Sequence, residues 1–148
     1  MWIGGRSEAA IQRTARIGDG WLVSQATPDE VADGVARIKV GALEHGNEIE
    51  DDHYGVLFSY FIADTPEEAA KQAAPYMLRR RTDVDYAEFS AFGTPDHVSQ
   101  LMERYIDAGA PKIVVRPACA PELMMEQLEL LGKEVVPHYH GKKEATVA

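Results

Sequence analysis

The sequence predicts an α/β protein with a parallel sheet, and two observations support this. Strand-like and helix-like stretches alternate along the 148 residues, which is typical of successive βα units. The longest apolar run, residues 54–63, is apolar on both faces, as expected for a parallel strand covered by helices. Four strands are expected, over residues 2–3, 21–24, 54–63 and 112–116.

Right-handed crossovers place these four strands in sequential order. Four consecutive βα units then form either a small open α/β sheet or half of a (βα)8 barrel. A full barrel usually takes about 250 residues, so the chain has roughly half the units at more than half that length. We expect one domain over residues 1–140 and a flexible C-terminal tail over residues 141–148.

Three Thr-Pro pairs mark the starts of helices, at Thr27, Thr65 and Thr94. Threonine is a good N-cap and proline suits the first helical position. Glu30 completes a capping box behind the first pair, whereas His97 takes the equivalent place behind the third. Helices are also expected over residues 7–17 and from 121 to about 136, with an irregular or helical excursion over 76–92.

The acidic composition limits the classes of partner. The net charge of −9 argues against nucleic acid, which is bound by cationic side chains, and against anionic membrane surfaces. No apolar run is long enough to span a bilayer, and the first residues lack the features of a signal peptide. The single cysteine, Cys119, excludes an internal disulfide framework. We therefore expect a cytoplasmic protein.

The first βα unit contains a glycine-rich turn, Gly4-Gly5-Arg6-Ser7, between a strand and a helix that opens on Ser7. Glycine allows the backbone to approach an anion, and the free N–H groups of a helix start point at it. The same residues also fit a tight turn followed by an N-cap. The unit ends at a second glycine motif, residues 18–21, of sequence Gly-Asp-Gly-Trp.

These two motifs, at residues 2–10 and 15–21, resemble the luciferase-like monooxygenases. Members of that family are (βα)8-barrel oxidoreductases that use reduced flavin mononucleotide (FMN) or the related deazaflavin coenzyme F420. The resemblance continues at residues 27–31, 93–98, 105–110 and 114–117. It covers nearly the whole chain, in the order expected for the C-terminal half of that barrel.

The resemblance implies a cofactor site at one end of the sheet. Gly4, Gly5 and Ser7 would hold the cofactor's phosphate through backbone N–H groups and the Ser7 hydroxyl, with Arg6 adding charge. Ser24 and Arg116, at the ends of two other strands, would lie at the same C-terminal face, where barrel active sites are built. Arginine suits bidentate recognition of an anion, and a structural ion pair at the barrel rim is an equal alternative for Arg116. No side chain qualifies as a necessary acid or base, which suits chemistry performed by a flavin or deazaflavin on a small organic substrate.

Other residues have simpler interpretations. Residues 79–81, three arginines, are expected to form a solvated face that balances nearby acids. His138 and His140 lack a third ligand in sequence, so we expect no metal site. Met124 and Met125 are expected to fill the core. Cys119 is expected to be a small, partly buried side chain rather than a nucleophile.

A half barrel has two open sheet edges and an apolar concave face, which invites pairing with another chain. We therefore expect self-association, with two half barrels closing eight strands as a homodimer. The alternative to an enzyme is a non-catalytic half-barrel remnant that self-associates and keeps at most a vestigial phosphate site.

Overall fold

The computed structural model describes residues 1–77 and 81–139. Within these ranges, all strands belong to one parallel sheet. The strands are β1 (Trp2–Gly4), β2 (Gly20–Ser24), β3 (Tyr54–Ile62), β4 (Ser90–Gly93) and β5 (Lys112–Pro117). β1, β2, β3 and β5 are the four predicted strands. β4 was missed, because this four-residue strand lies in the segment 76–92 that we expected to be irregular or helical.

The strand order follows from the pairing of β3. Residues 55–57 pair with both β2 and β5, so these two strands occupy opposite edges of β3. Ser59 and Tyr60 pair with both β4 and β5, which places β4 on the same edge as β2. The four predicted strands therefore run in sequential order, β1-β2-β3-β5, and β4 follows β2 along the shared edge.

Helices alternate with the strands. They are α1 (Glu8–Ile17), α2 (Pro28–His45), α3 (Pro66–Ala73), α4 (Pro95–Asp107) and α5 (Met124–Leu130). The predicted last helix is not uniform: a 3-10 turn (Pro121–Leu123) leads into α5, and a π turn (Leu131–Val135) and a 3-10 turn (Val136–His138) continue it. No helix in the described ranges combines the length and apolar character needed to cross a bilayer.

The helix starts follow the sequence closely. Ser7, Thr27 and Thr65 each accept a hydrogen bond from the backbone N–H three residues further on. The capping box at Thr27 is complete. Thr94 makes no such bond to the backbone; its hydroxyl pairs with Nδ1 of His97 at 2.9 Å. The third capping box is therefore replaced by a side-chain pair.

The core lies between the sheet and the helices. Alternate side chains of β3, including Val56, Phe58 and Tyr60, are fully buried on the helix side. On the opposite face, Trp2 is 40% exposed and Val114 is 42% exposed. Alternation along each strand puts these two side chains on one face. The opposite face is open around Trp2 and Val114, and we call this part the open face. At its carboxyl end a second buried cluster, which includes Phe61 and Phe92 with Ala69 and Ala73 of α3, covers the sheet.

Gln127 of α5 extends the sheet where β5 ends. Its side-chain Oε1 accepts from the Ile62 N–H at 2.7 Å and its Nε2 donates to the Ile62 carbonyl at 3.0 Å. Met124 and Met125, on the same helix, are 42% and 66% exposed. The expectation that these methionines fill the core is therefore wrong, because α5 contacts the sheet through Gln127 instead.

Candidate functional site

The glycine turn between β1 and α1 has a backbone that only glycine adopts readily. Gly5 has φ of 104°, a region that L side chains rarely occupy. A Cβ at Gly5 would also lie 3.2 Å from the Cβ of Ala10. The carbonyl oxygen of Gly5 accepts a hydrogen bond from Nε1 of Trp21 at 2.8 Å. The second glycine motif therefore holds the first in place.

The start of α1 offers donors to an anion. Ser7 is exposed and caps the helix, with its hydroxyl oxygen accepting from the Ala10 N–H at 3.3 Å. The hydroxyl hydrogen remains available to donate. The first N–H groups of a helix have no acceptor within the helix, and the helix dipole favours negative charge there. The turn residues predicted from sequence thus form a donor set suited to a phosphate.

Arg6 lies among acidic side chains of the next βα unit. It lines a cavity of about 400 Å³ together with Asp29, Glu30 and Asp33. The hydrogen bonds from Arg81 lower the pKa of both Glu30 and Asp83, and the charge of Arg6 adds a smaller effect. These carboxylates compete with an anionic ligand for Arg6.

Ser24 and Arg116 meet at the C-terminal end of the sheet, as predicted. Both line a cavity of about 90 Å³, together with Ser59 and Ser90. Nη2 of Arg116 donates to Oγ of Ser59 at 3.0 Å and to the carbonyl oxygen of Tyr76 at 3.2 Å. The turn residues 4–7 are not among the residues that line this cavity. The predicted site therefore consists of two separate parts.

Arg81 is a further residue whose predicted environment is wrong. Its side chain is only 2% exposed, so the expected solvated face is wrong at this position. It donates two hydrogen bonds to Glu30, two to Asp83 and one to the Gln25 carbonyl. Gln25 has a positive φ of 55°. Arg81 therefore holds the strained turn that follows Ser24.

No local pattern in the sequence indicates this contact, because Glu30 and Gln25 lie 51 and 56 residues from Arg81. The other two members of the arginine run, Arg79 and Arg80, lie outside the described residues. So do His140 of the histidine pair and the predicted tail, residues 141–148.

Cys119 and Tyr60 are two buried titratable groups close to β5. Cys119 is buried, as expected. Burial raises the pKa of its thiol, and the charge of Arg116 offsets part of that rise. Burial also raises the pKa of Tyr60 to about 12, and the Tyr60 hydroxyl donates to the Gln127 carbonyl. Both groups stay protonated near neutral pH, so neither acts as an anionic nucleophile.

Three neighbouring side chains at the surface carry atoms that could bind a metal ion. Ligand atoms of Glu50, Asp52 and His53 lie within 4.8 Å of one another. Asp52 already pairs with Lys112 at 3.1 Å, and Nδ1 of His53 contacts the Asp19 carbonyl at 2.7 Å. Contacts within the protein account for this cluster.

Comparison with known proteins places the chain in a family. The profile of the luciferase-like monooxygenases matches residues 1–85, which is more than half of the chain. The chain belongs to this family. It is similar to 5,10-methylenetetrahydromethanopterin reductase from Methanopyrus kandleri, with 23% identity over 177 aligned positions that cover 94% of this chain and 50% of the relative.

Solved structures agree on the fold. The coenzyme F420 dependent tetrahydromethanopterin reductase from Methanopyrus kandleri superposes with a TM-score of 0.66 and 22% identity, covering 93% of this chain and 50% of that one. The FMN complex of the oxygenating constituent of 3,6-diketocamphane monooxygenase from Pseudomonas putida gives a TM-score of 0.68 and 17% identity, over 92% of this chain and 47% of that one. The chain therefore spans about half the length of these barrel enzymes.

Proposed function

We propose that the chain is the C-terminal half barrel of a luciferase-like oxidoreductase, and that residues 4–7 hold the phosphate of its cofactor. The observation that carries the proposal is the geometry of Gly5. Its positive φ and its bond from Trp21 turn the backbone directly into the N-terminus of α1. A turn of this kind before a helix is suited to bind phosphate.

The donor set of the turn fits a flavin or deazaflavin phosphate. The Ser7 hydroxyl and the first N–H groups of α1 bind phosphate oxygens, and the missing Cβ of Gly5 leaves the backbone accessible. When bound, the reduced cofactor supplies the electrons for reduction or oxygenation of a small organic substrate. Ser24 and Arg116 lie at the sheet end where barrel enzymes bind substrate, and we assign them to contacts with substrate or cofactor.

Two cofactors are candidates, and the relatives support both. One relative is named as F420 dependent and another was solved with FMN. The residues of the turn contact only the phosphate in this proposal, so they do not choose between the two rings. The same titration experiment therefore tests both cofactors.

The test is a titration of the purified chain with FMN and with F420, followed by fluorescence quenching and thermal shift. We expect micromolar binding of one cofactor, lost in Gly5→Asp, because an acidic side chain then occupies the phosphate position. Gly46→Asp is the matched control: Gly46 also has a positive φ, of 65°, but caps α2. No shift at millimolar concentration of either cofactor would reject the proposal and favour the non-catalytic remnant.

The open face of the sheet supports a second proposal, self-association into a homodimer. Trp2 and Val114 are exposed there, and Leu22 and Leu57 are partly exposed between them. In the described sheet, β1 pairs only with β2 and β5 only with β3, so both outer edges are open. Open edges and an exposed apolar face favour pairing with a second copy.

Sedimentation velocity tests the dimer. We expect the wild-type chain to sediment as a dimer at micromolar concentration and Val114→Glu to sediment as a monomer. Val40→Glu is the control, since Val40 is 60% exposed on α2 and lies away from the open face. A stable, folded wild-type monomer at micromolar concentration would exclude this assembly.

A further inference from the structure

Arg116 has unused donors at the C-terminal end of the sheet. Its Nη2 donates to Ser59 and to the Tyr76 carbonyl. Among residues 1–77 and 81–139, no acceptor contacts its Nε or Nη1 and no carboxylate pairs with it. A guanidinium keeps its charge at all relevant pH values and carries five N–H donors in a planar fork. That fork matches a planar anion such as a carboxylate.

A buried hydroxyl lines the same cavity as this guanidinium. Ser90 is the ladder partner of Ser59, which binds Arg116. Paired residues of neighbouring strands have their side chains on the same face of the sheet. Ser90 is 5% exposed, and its hydroxyl has no hydrogen-bond partner among the described residues. Buried hydroxyls are normally paired, so this one indicates a group that a ligand completes.

The space between these side chains fits a small group. The cavity that Ser24, Ser59, Ser90 and Arg116 line measures about 90 Å³, larger than the roughly 30 Å³ that one water takes in the liquid. Its remaining walls include Leu57, Met77 and Phe89. Polar side chains and apolar side chains thus line the same cavity, which is the usual composition of a small-molecule site.

We propose that this cavity binds the carboxylate group of a small organic acid. The free edge of the Arg116 guanidinium contacts the carboxylate, and the Ser90 hydroxyl donates to one of its oxygens. The assignment of this acid as the substrate rests on the proposed oxidoreductase function. Binding of a carboxylate in the cavity does not depend on that function, so it is tested without cofactor.

The experiment is a thermal-unfolding titration of the whole chain with sodium acetate, at constant ionic strength maintained with sodium chloride. A ligand that binds only the folded state raises the unfolding temperature in a saturable way. We expect such a rise for the wild type and at least about tenfold weaker binding in Arg116→Gln, because a charge-assisted bidentate contact is lost. Ser90→Ala weakens acetate binding severalfold. Arg13→Gln, at an exposed arginine of α1, binds acetate like the wild type.

Three results would overturn the proposal: no difference between acetate and chloride, unchanged acetate binding in Arg116→Gln, or tighter binding of inorganic phosphate than of acetate. Urea midpoints of each variant establish that it is folded. Ser90→Ala removes only a hydroxyl that bonds to none of the described residues, and it leaves the backbone unchanged. Weaker acetate binding in this variant therefore reports loss of the contact between Ser90 and acetate and not loss of the fold. The cofactor titration tests the turn at residues 4–7 through Gly5→Asp, whereas the acetate titration tests Arg116 and Ser90, so failure of one proposal is distinguishable from failure of the other.

Discussion

Nε1 of Trp21 donates a hydrogen bond to the carbonyl oxygen of Gly5 at 2.8 Å. Trp21 is 1% exposed, and its ring also lies against Gly34 of α2, where an added Cβ would be 2.5 Å from the ring. One side chain of β2 therefore holds the turn before α1 and sets the approach of α2. The two glycine motifs of the first βα unit act as one structural element.

Replacing Trp21 by phenylalanine removes this hydrogen bond and part of the ring volume. We expect Trp21→Phe to lower the free energy of unfolding by about 1–3 kcal/mol, since a donor is lost and a cavity forms. Urea denaturation measures the change. Trp2→Phe, at a tryptophan that is 40% exposed, serves as the control and should cost less; equal losses would contradict a special role for Trp21.

Adding a methyl group at Gly34 tests the packing of α2 on the same ring. Alanine is favoured over glycine inside a helix, yet Gly34→Ala should destabilise the protein by about 1–3 kcal/mol through overpacking. Gly132→Ala is the comparison, because nothing lies within 4 Å of a Cβ at Gly132. Thermal or urea unfolding measures the stability of the two variants. A Gly34→Ala variant that is more stable than the wild type would show that the Trp21 ring can move aside.

The helix caps differ in a way that can be measured. The Thr27 hydroxyl accepts from the Glu30 N–H, and the Glu30 carboxylate accepts from the Thr27 N–H. Thr94 makes no such bond to the backbone. We expect Thr27→Ala to cost about 1 kcal/mol of stability, in the range for a lost N-cap, and Thr94→Ala to cost less. A larger loss for Thr94→Ala in urea denaturation would be the contrary result.

We expect the free energy of unfolding to fall in acid because Glu30 becomes protonated. The hydrogen bonds from Arg81 lower the pKa of Glu30 from 4.5, although burial acts in the opposite direction. A carboxyl with a lowered pKa in the folded state contributes stability that is fully present above its unfolded pKa. That stability is lost as the pH falls through the folded pKa. The contribution of Glu30 therefore begins to fall below about pH 4.5 and is lost as the pH drops through the lower pKa of the folded state.

The matching variant is Glu30→Gln, which keeps the size of the side chain but removes its charge. We expect Glu30→Gln to be less stable than the wild type at pH 7 and to show a smaller loss between pH 5 and pH 3, by urea midpoints across that range. Glu44→Gln, at an exposed position of α2, controls for the general effect of charge. Parallel pH profiles for Glu30→Gln and the wild type would exclude Glu30 as a source of the acid response.

Much of the fold was predictable because its signals are local. Capping residues at Ser7, Thr27 and Thr65 determine where helices begin through bonds that span three residues. The short strand β4 was missed because four residues carry little periodicity. It pairs with β3 through residues about 30 positions away, and only that pairing makes it a strand.

The candidate site also combines features that local sequence predicts with contacts between distant residues. Ser24 and Arg116 could be assigned to one end of the sheet because the carboxyl ends of parallel strands share an edge. The partners of Arg81 lie 51 and 56 residues away, and the unpaired hydroxyl of Ser90 depends on a strand that the sequence pattern did not reveal. Burial of a charged or polar side chain depends on such distant contacts.

The sequence by itself determined the alternation of strands and helices, most helix starts and the glycine turn, because each depends on a few neighbouring residues. Only the tertiary structure decided that Trp21 binds the turn at Gly5, that Arg81 is buried against Glu30, and that Arg116 and Ser90 line one cavity. These contacts join residues from different βα units. Their energies depend on distance and burial in three dimensions, which the order of residues does not specify.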